Sequence, residues 1–471
     1  MIRAVGRVAS LAVFIVATLM LPGRPAEALP SFAAQTGQPC TACHIGAYGP
    51  QLTPLGRAFK IGGYTQQGGE GLLSNIPLSA MLITSFTHTN QSVPDDAKVT
   101  HYATNNNFSL DQIGGFIAGG WQHTGALIQI TYTNLPNAFN TTQSIHLDNT
   151  DIRPYTTTFE VGDADLTVGA SINNGPTVQD PYNTTFAWGY PYVSSGVAPV
   201  PAAQPVLAGS FAANSFGTTL YAWYDHKLYV EAGVYNTMSP WLINRLGNSF
   251  GVGSTSQPAP YVRLAYEWDW NAQAAHVGLI YFQSHVNPAV SQLLTDGSMG
   301  RDIYSDVAFD ASYQYLGTGE HIGTVQGIYT HEAQNLVGST ASFNNANGTS
   351  VGSHYSLNQI RLNTSYWYQN TYGVTLGWQR TWGPANPVLF QPGELTGSAN
   401  SKPNSNAFII EADWVPFGKA DSWLQPLANL KLGIQYTAYT QFNGGNSGYD
   451  GVTNRGASAN NTLFLFGWLT F

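Results

Sequence analysis

This sequence predicts an all-β chain closed into a 16-stranded transmembrane outer-membrane β-barrel, with a small α-helical domain at its N-terminus. Three observations lead there. The 471 residues include 17 Lys+Arg and 26 Asp+Glu, so charged side chains make up only 9%, against ~25% in an ordinary soluble domain. Hydrophobic residues reach 43%, with 13% aromatic and 50 Gly. Mean hydropathy is nevertheless −0.11, so apolar and polar residues must be interleaved, as in a barrel wall. From Ile76 onward, alternating segments of ~10 residues end in aromatics and are joined by short turns on one side and long polar excursions on the other. Such a chain is not expected to be a water-soluble enzyme.

Residues 1–28 read as a secretory signal. Arg3 and Arg7 form its basic end, Val8 to Leu21 its apolar stretch, and Ala26-Glu27-Ala28 its cleavage site. The apolar run is 14 residues long, too short to span a bilayer. No later segment approaches ~18 uninterrupted apolar residues, so helical membrane spans are not expected. Loss of Arg3, Arg7, Arg24 and Glu27 with the leader leaves 14 basic and 25 acidic residues, a net charge of −11. Nucleic acid is therefore excluded as a partner, whereas small cations are favoured.

The only cysteines, Cys40 and Cys43, lie in Cys40-Thr41-Ala42-Cys43-His44, the attachment pattern of a c-type haem. Two thiols at this spacing can add to the two vinyl groups of one porphyrin, and the adjacent histidine then falls beneath the iron as its axial ligand. A redox disulfide would want a βαβ surround and a structural zinc site four ligands, yet residues 29–75 contain no other Cys or His. A domain over 29–75 has under fifty residues, so a haem would make up much of its core. After the motif, Leu52, Leu55 and Phe59 stand at helix-like spacing, suited to covering one haem face. Arg57 and Lys60 on the same helix are candidates to meet the propionates, or to form a solvated helix face. The sixth iron position is open: five-coordinate, unusually ligated, or completed from beyond residue 75. Met81 is the nearest candidate there, sharing the inward parity of Ser79, Ser85 and Thr87, with simple packing as its other reading. His88 has the opposite parity.

The barrel over 76–471 is expected to have strands near 77–88, 109–121, 125–133, 144–153, 164–174, 214–224, 226–236, 259–270, 273–283, 302–315, 320–332, 355–368, 372–382, 405–414, 429–441 and 461–471. Aromatics such as Trp121, Trp223, Trp268, Trp270, Tyr315 and Tyr368 precede the short turns, as an interface girdle does, and Phe471 is a terminal aromatic of outer-membrane type. The even count returns both ends to the periplasm. Sixteen strands enclose a lumen wide enough for water. A linker from about Gly63 to Asn75 reaches at most ~40 Å at ~3.3 Å per residue, which keeps the small domain at the periplasmic mouth or, as favoured here, inside the lumen. The long excursion over 175–213, with Asn173 to Asn183 and Trp188-Gly189-Tyr190-Pro191-Tyr192, is expected to fold inward and constrict that lumen. Glu267 with Asp269 and Glu411 with Asp413 fall at the wet periplasmic rim by this register, where they need no ligand. The eleven histidines are scattered, and neither a phosphate-binding glycine loop nor a G-x-S-x-G elbow occurs.

Taken together, the stretch from Phe32 to His44, then Gln51 to Lys60, then Gly63-Tyr64-Thr65, resembles the fused monohaem c-type cytochrome-porin family, whose best-known members are outer-membrane iron oxidases. The likeness covers the N-terminal tenth strongly and the barrel by architecture and the 173–192 loop. It implies haem c attached at Cys40 and Cys43, with His44 as proximal ligand and the residue at the reacting iron. It also implies an electron route through one protein: an extracellular donor, Fe(II) foremost, passes electrons through the haem to a periplasmic electron-carrier cytochrome, the barrel standing in outer-membrane lipid. The alternatives are a diffusion porin whose cytochrome domain is a plug or redox gate, and electron export to an extracellular acceptor.

Overall fold

The computed structural model describes residues 31–471 apart from 72, 134–144, 186–188, 292 and 425–427. The expected leader over 1–28 and Trp188 therefore lie outside the described residues.

Sixteen long strands form the wall: β1 (Leu78–Thr89), β2 (Asn107–Trp121), β3 (Thr124–Tyr132), β4 (Ile145–Val161), β5 (Ala164–Asn173), β6 (Ser215–Tyr224), β7 (Leu228–Thr237), β8 (Ala259–Trp270), β9 (Gln273–Pro288), β10 (Asp302–Tyr315), β11 (His321–Leu336), β12 (His354–Tyr368), β13 (Tyr372–Trp382), β14 (Ser405–Trp414), β15 (Asn429–Gln441) and β16 (Thr462–Thr470). Each pairs antiparallel with the next, and β1 closes on β16 with Met81 opposite Thr470 and Thr89 opposite Thr462. Closure removes the free edges that an open sheet would leave. A three-residue strand, Gly253–Thr255, adds to the far end of β9.

The count and most limits are those expected. The main difference is β4, which runs on to Val161 rather than stopping near 153. Pro154 sits where the β4–β5 register shifts between Ile152 and Tyr155, and a bulge tolerates a residue that cannot donate to the ladder. Strands β9 and β11 also continue past their expected ends, because Val286 pairs with Asp302 and Asp302 with Leu336.

Alternation decides what each face meets. On β6, burial runs strictly in and out, with Leu220 outside and Thr219 and Tyr221 inside. Leu264, Leu279, Phe309, Leu376, Ile410 and Ile434 are among the exposed apolar residues of the outer face. Trp121, Trp268, Trp270, Tyr315, Tyr368 and Trp414 ring it beside the short turns, at the level of a membrane interface. The charged residues turn inward: Asp151, Arg153, Glu231, Arg263, Asp310 and Lys431 are essentially inaccessible. A helix of membrane-spanning length and hydropathy does not occur among the described residues.

The N-terminal segment carries α1 (Ser31–Thr36), α2 (Cys40–Cys43) and α3 (Pro54–Ile61). Helix α3 starts cleanly because Thr53 caps it, its Oγ1 accepting from Gly56 N, with Pro54 in the first turn. The segment lies within the strand ring near the short turns. Gln35 Oε1 accepts from Gly120 N at 2.8 Å, Tyr64 OH donates to Asp151 at 2.7 Å, and Tyr221 OH donates to Ile61 O at 2.8 Å. On the opposite side Gln314 Nε2 donates to Leu52 O at 2.8 Å, Asn370 accepts from Gly46 N at 3.1 Å, and Tyr48 OH donates to Trp468 O at 2.8 Å. These partners circle the barrel, so the segment with its short helices lies inside the strand ring.

Candidate cofactor site

Three local features shape the cysteine motif. His44 N donates to Cys40 O at 2.9 Å, closing the single turn of α2. Thr53 N donates to Cys43 O at 3.0 Å, and Thr53 Oγ1 to Ala42 O at 2.5 Å, which lays α3 across the motif. Gly56 makes that crossing possible: a Cβ there would stand 2.3 Å from Cys43 O.

Beside the motif is a largely apolar cavity between the N-terminal segment and the barrel wall. Cys40, Cys43 and His44 line one side, with Phe32, Leu52 and Phe59. The barrel contributes Met81, Phe116, Leu127 and Trp468. Met81 is 1% exposed and faces the lumen, opposite Gly114 of β2. It thus has the inward orientation expected and shares the cavity with the motif. His88 does not: it points outward, its Nδ1 2.8 Å from Asn106 Oδ1. Leu55, expected to help cover a haem face, is instead exposed toward the short-turn mouth. Its place follows from Gly56 and Phe59 taking the inner side of α3.

The groups available to hold a cofactor are two thiols not joined in a disulfide, one imidazole and one thioether. Burial pushes the Cys40 thiol up to about 12 and raises the half-buried Cys43 as well. Burial also lowers the proton affinity of His44, against an opposing contribution from the Gly49 backbone. His44 Nδ1 is buried without a hydrogen-bond partner among the described residues. A neutral imidazole among apolar groups is the form that can ligate a metal.

The two cations of α3 are placed differently from the propionate reading. Arg57 is turned to the barrel wall: its Nε donates to Glu267 Oε1 at 2.9 Å, Nη2 contacts the same oxygen, and Nη1 donates to Leu52 O at 2.9 Å and Gln314 Oε1 at 3.2 Å. Lys60 does line the cavity, but its Nζ donates to Val178 O at 2.6 Å and Asp180 O at 2.9 Å. Burial lowers it to about 8, opposed by the Asp151 carboxylate.

The carboxylate pairs also depart from the wet-rim expectation. Glu267 is buried as the partner of Arg57, and only Asp269 faces solvent. Glu411 and Asp413 are buried around Lys431 Nζ, at 3.2 and 3.0 Å. Inward alternation carries these residues into the packed lumen, where each acid needs a cation. No cluster of three or more metal-ligating side chains occurs among the described residues.

The excursion over 175–213 folds into the lumen as expected. Asp180 holds Tyr182 N at 3.1 Å and lies 3.5 Å from Arg263 Nε, while Thr184 Oγ1 donates to Asp310 at 2.8 Å. Farther on, Tyr192 OH donates to Gln51 Oε1 at 2.9 Å, and Val206 N and Leu207 N donate to Glu332 and Asp306 at 2.6 and 2.8 Å. Gln51, Tyr48, Tyr64 and Asp151, which seat the N-terminal segment, escape a sequence reading because no local pattern marks a contact between residues hundreds of positions apart.

A closed sixteen-stranded antiparallel barrel with an apolar exterior and a charged interior has the architecture of a transmembrane β-barrel. No family model matches the chain, and no curated protein matches it in sequence. Similar solved structures are OprB of Pseudomonas putida (11% identity, TM-score 0.46, covering 84% of this chain and 93% of that one) and the outer membrane channel DcaP of Acinetobacter baumannii (10%, 0.44, 84% and 96%). The anion-selective porin from Comamonas acidovorans (12%, 0.41, 84% and 98%) is another.

Proposed function

We propose that this chain is a monohaem c-type cytochrome fused to an outer-membrane barrel, passing electrons from an extracellular donor, Fe(II) foremost, to a periplasmic electron carrier. The observation that carries the reading is the convergence of Cys40, Cys43, His44 and Met81 on one largely apolar cavity. Cys40 and Cys43 would hold a haem through thioethers, with His44 and Met81 as the side chains that would ligate its iron. A haem so held supplies a one-electron centre whose potential depends on its axial ligands and burial. Phe32, Phe59, Phe116 and Trp468 give that space apolar walls. Arg57 and Lys60 fasten the domain to β8 and to the inward loop.

The test is to mix oxidised, purified protein with Fe(II) and follow the reduced haem bands. Reduction on mixing is expected; its absence across the accessible pH range would remove iron as donor, and a colourless protein would remove the haem.

The closed sixteen-stranded wall, of a size that elsewhere encloses an aqueous channel, favours a second reading, a diffusion porin with the N-terminal domain as plug or gate. Planar-bilayer recordings separate the two: a large steady conductance with the domain in place fits the porin, and a closed barrel fits the conduit.

A further inference from the structure

We infer that the short-turn mouth of the barrel is a docking face for a soluble electron-carrying protein with a positively charged surface, and that His44 is the point of contact with the cavity behind it. The inference rests on the haem reading above and assigns that reading's partner a place.

The geometry comes first. A second, open depression of ≈ 1510 Å³ lies at this mouth. Its floor is Thr41, Ala42, His44, Pro54 and Leu55, and its rim carries Asp269, Glu320 and Lys419 from three different turns. His44 lines both this depression and the cavity that holds Cys40, Cys43 and Met81. It is half-buried, so the same residue borders both spaces. Toward the long-loop side, described residues of the 175–213 loop reach β8, β10 and β11 across the lumen.

Charge selects the partner. The floor is small and apolar, with Leu55 39% exposed. Asp269 and Glu320 of its rim face solvent, and elsewhere on the short-turn end of the chain Glu160 and Asp163 at the β4–β5 turn and Asp421 are exposed too, while Asp225 is paired with Lys227. Lys419 is the other exposed lysine on this side among the described residues. An apolar floor on a barrel end where exposed acids outnumber exposed lysines complements a protein whose own exposed redox edge is ringed by lysines. Such fields act chiefly on the association rate, and salt weakens them.

The experiment uses the full-length protein in detergent with a lysine-rich soluble c-type cytochrome as probe, and the same probe with its lysines succinylated. Binding is measured by titration at low and high ionic strength, and electron transfer separately by stopped flow. The lysine-rich probe is expected to bind and to lose affinity with salt, and the succinylated probe not to bind. D269K/E320K should lower the association rate about tenfold at low salt, while E394K in the long loop between β13 and β14 should leave it unchanged. Equal binding of both probes, or a D269K/E320K variant that associates like the parent, would overturn the docking face. A colourless protein that still binds the probe in this charge-dependent way would sink the haem reading and leave the docking face standing.

Discussion

Arg57 of α3 and Glu267 of β8, 210 positions apart in the chain, form an ion pair in which both side chains are 4% exposed and Arg57 Nε donates to Glu267 Oε1 at 2.9 Å. The pair fastens the N-terminal segment to the wall, together with the Arg57 bond to Gln314, while its bond to Leu52 O holds the segment itself. It also orients the helix that lies over the cysteine motif.

Removing one partner of this pair strands a buried charge. R57M should destabilise the seated segment by about 3–5 kcal/mol, and R57M/E267Q should recover part of the loss. Limited proteolysis between residues 31 and 75 reads this directly; equal resistance of R57M and parent would mean that the pair does not hold the segment.

Met81 separates packing from ligation. M81L conserves volume, so the barrel should lose less than about 1.5 kcal/mol. Methionine ligation raises a haem potential, so the midpoint of the M81L holoprotein should fall. An unchanged midpoint and ligand field in a redox titration would leave Met81 as a core residue only.

Lys60 gives a pH dependence. Its seated form is lowered by burial from 10.5 to about 8. Between those values the unfolded chain carries a proton that the seated lysine has released, so the unfolded state binds more protons and stability rises with pH. The contribution is complete above the unfolded value and is lost as pH falls through the seated one. Melting of the full protein in detergent from about pH 7 to 9.5 should show this rise, and K60M should flatten it.

Asp180 organises the inward loop, accepting from Tyr182 N and Thr184 N and meeting Arg263. D180A should loosen the constriction without unfolding the wall, whose ladder is independent of the loop. Higher single-channel conductance in D180A than in the parent is the expected result; identical traces would show that the loop is held elsewhere.

In the apoprotein the two thiols should differ. Cys40 is buried and pushed up to about 12, whereas Cys43 is half-buried, and the thiolate is the reactive form. Iodoacetamide followed by peptide mass mapping should find Cys43 modified before Cys40, and neither in haem-loaded protein.

How much was legible beforehand varies with the range of the interaction. The strands from Ala259 to Trp270, Tyr372 to Trp382 and Ser405 to Trp414 lie at their expected limits, because a period-two pattern is written into adjacent residues. Strand β4 runs beyond its expected limit, because the shifted pairing with β5 accommodates Pro154. Arg57 and Leu55 were assigned to the wrong neighbours. Helical spacing gives a face but not the direction in which that face will be docked.

By itself, the sequence determined a closed porin-type wall, its strand count and the adjacency of Cys40, Cys43 and His44, since each depends on residues near in the chain. Tertiary structure alone decided that Met81 shares their cavity, that Glu267 is the counter-ion of Arg57, and that Asp180 meets Arg263 across the lumen. These contacts depend on barrel closure, which brings distant segments to one interior where an unpaired charge is too costly to persist.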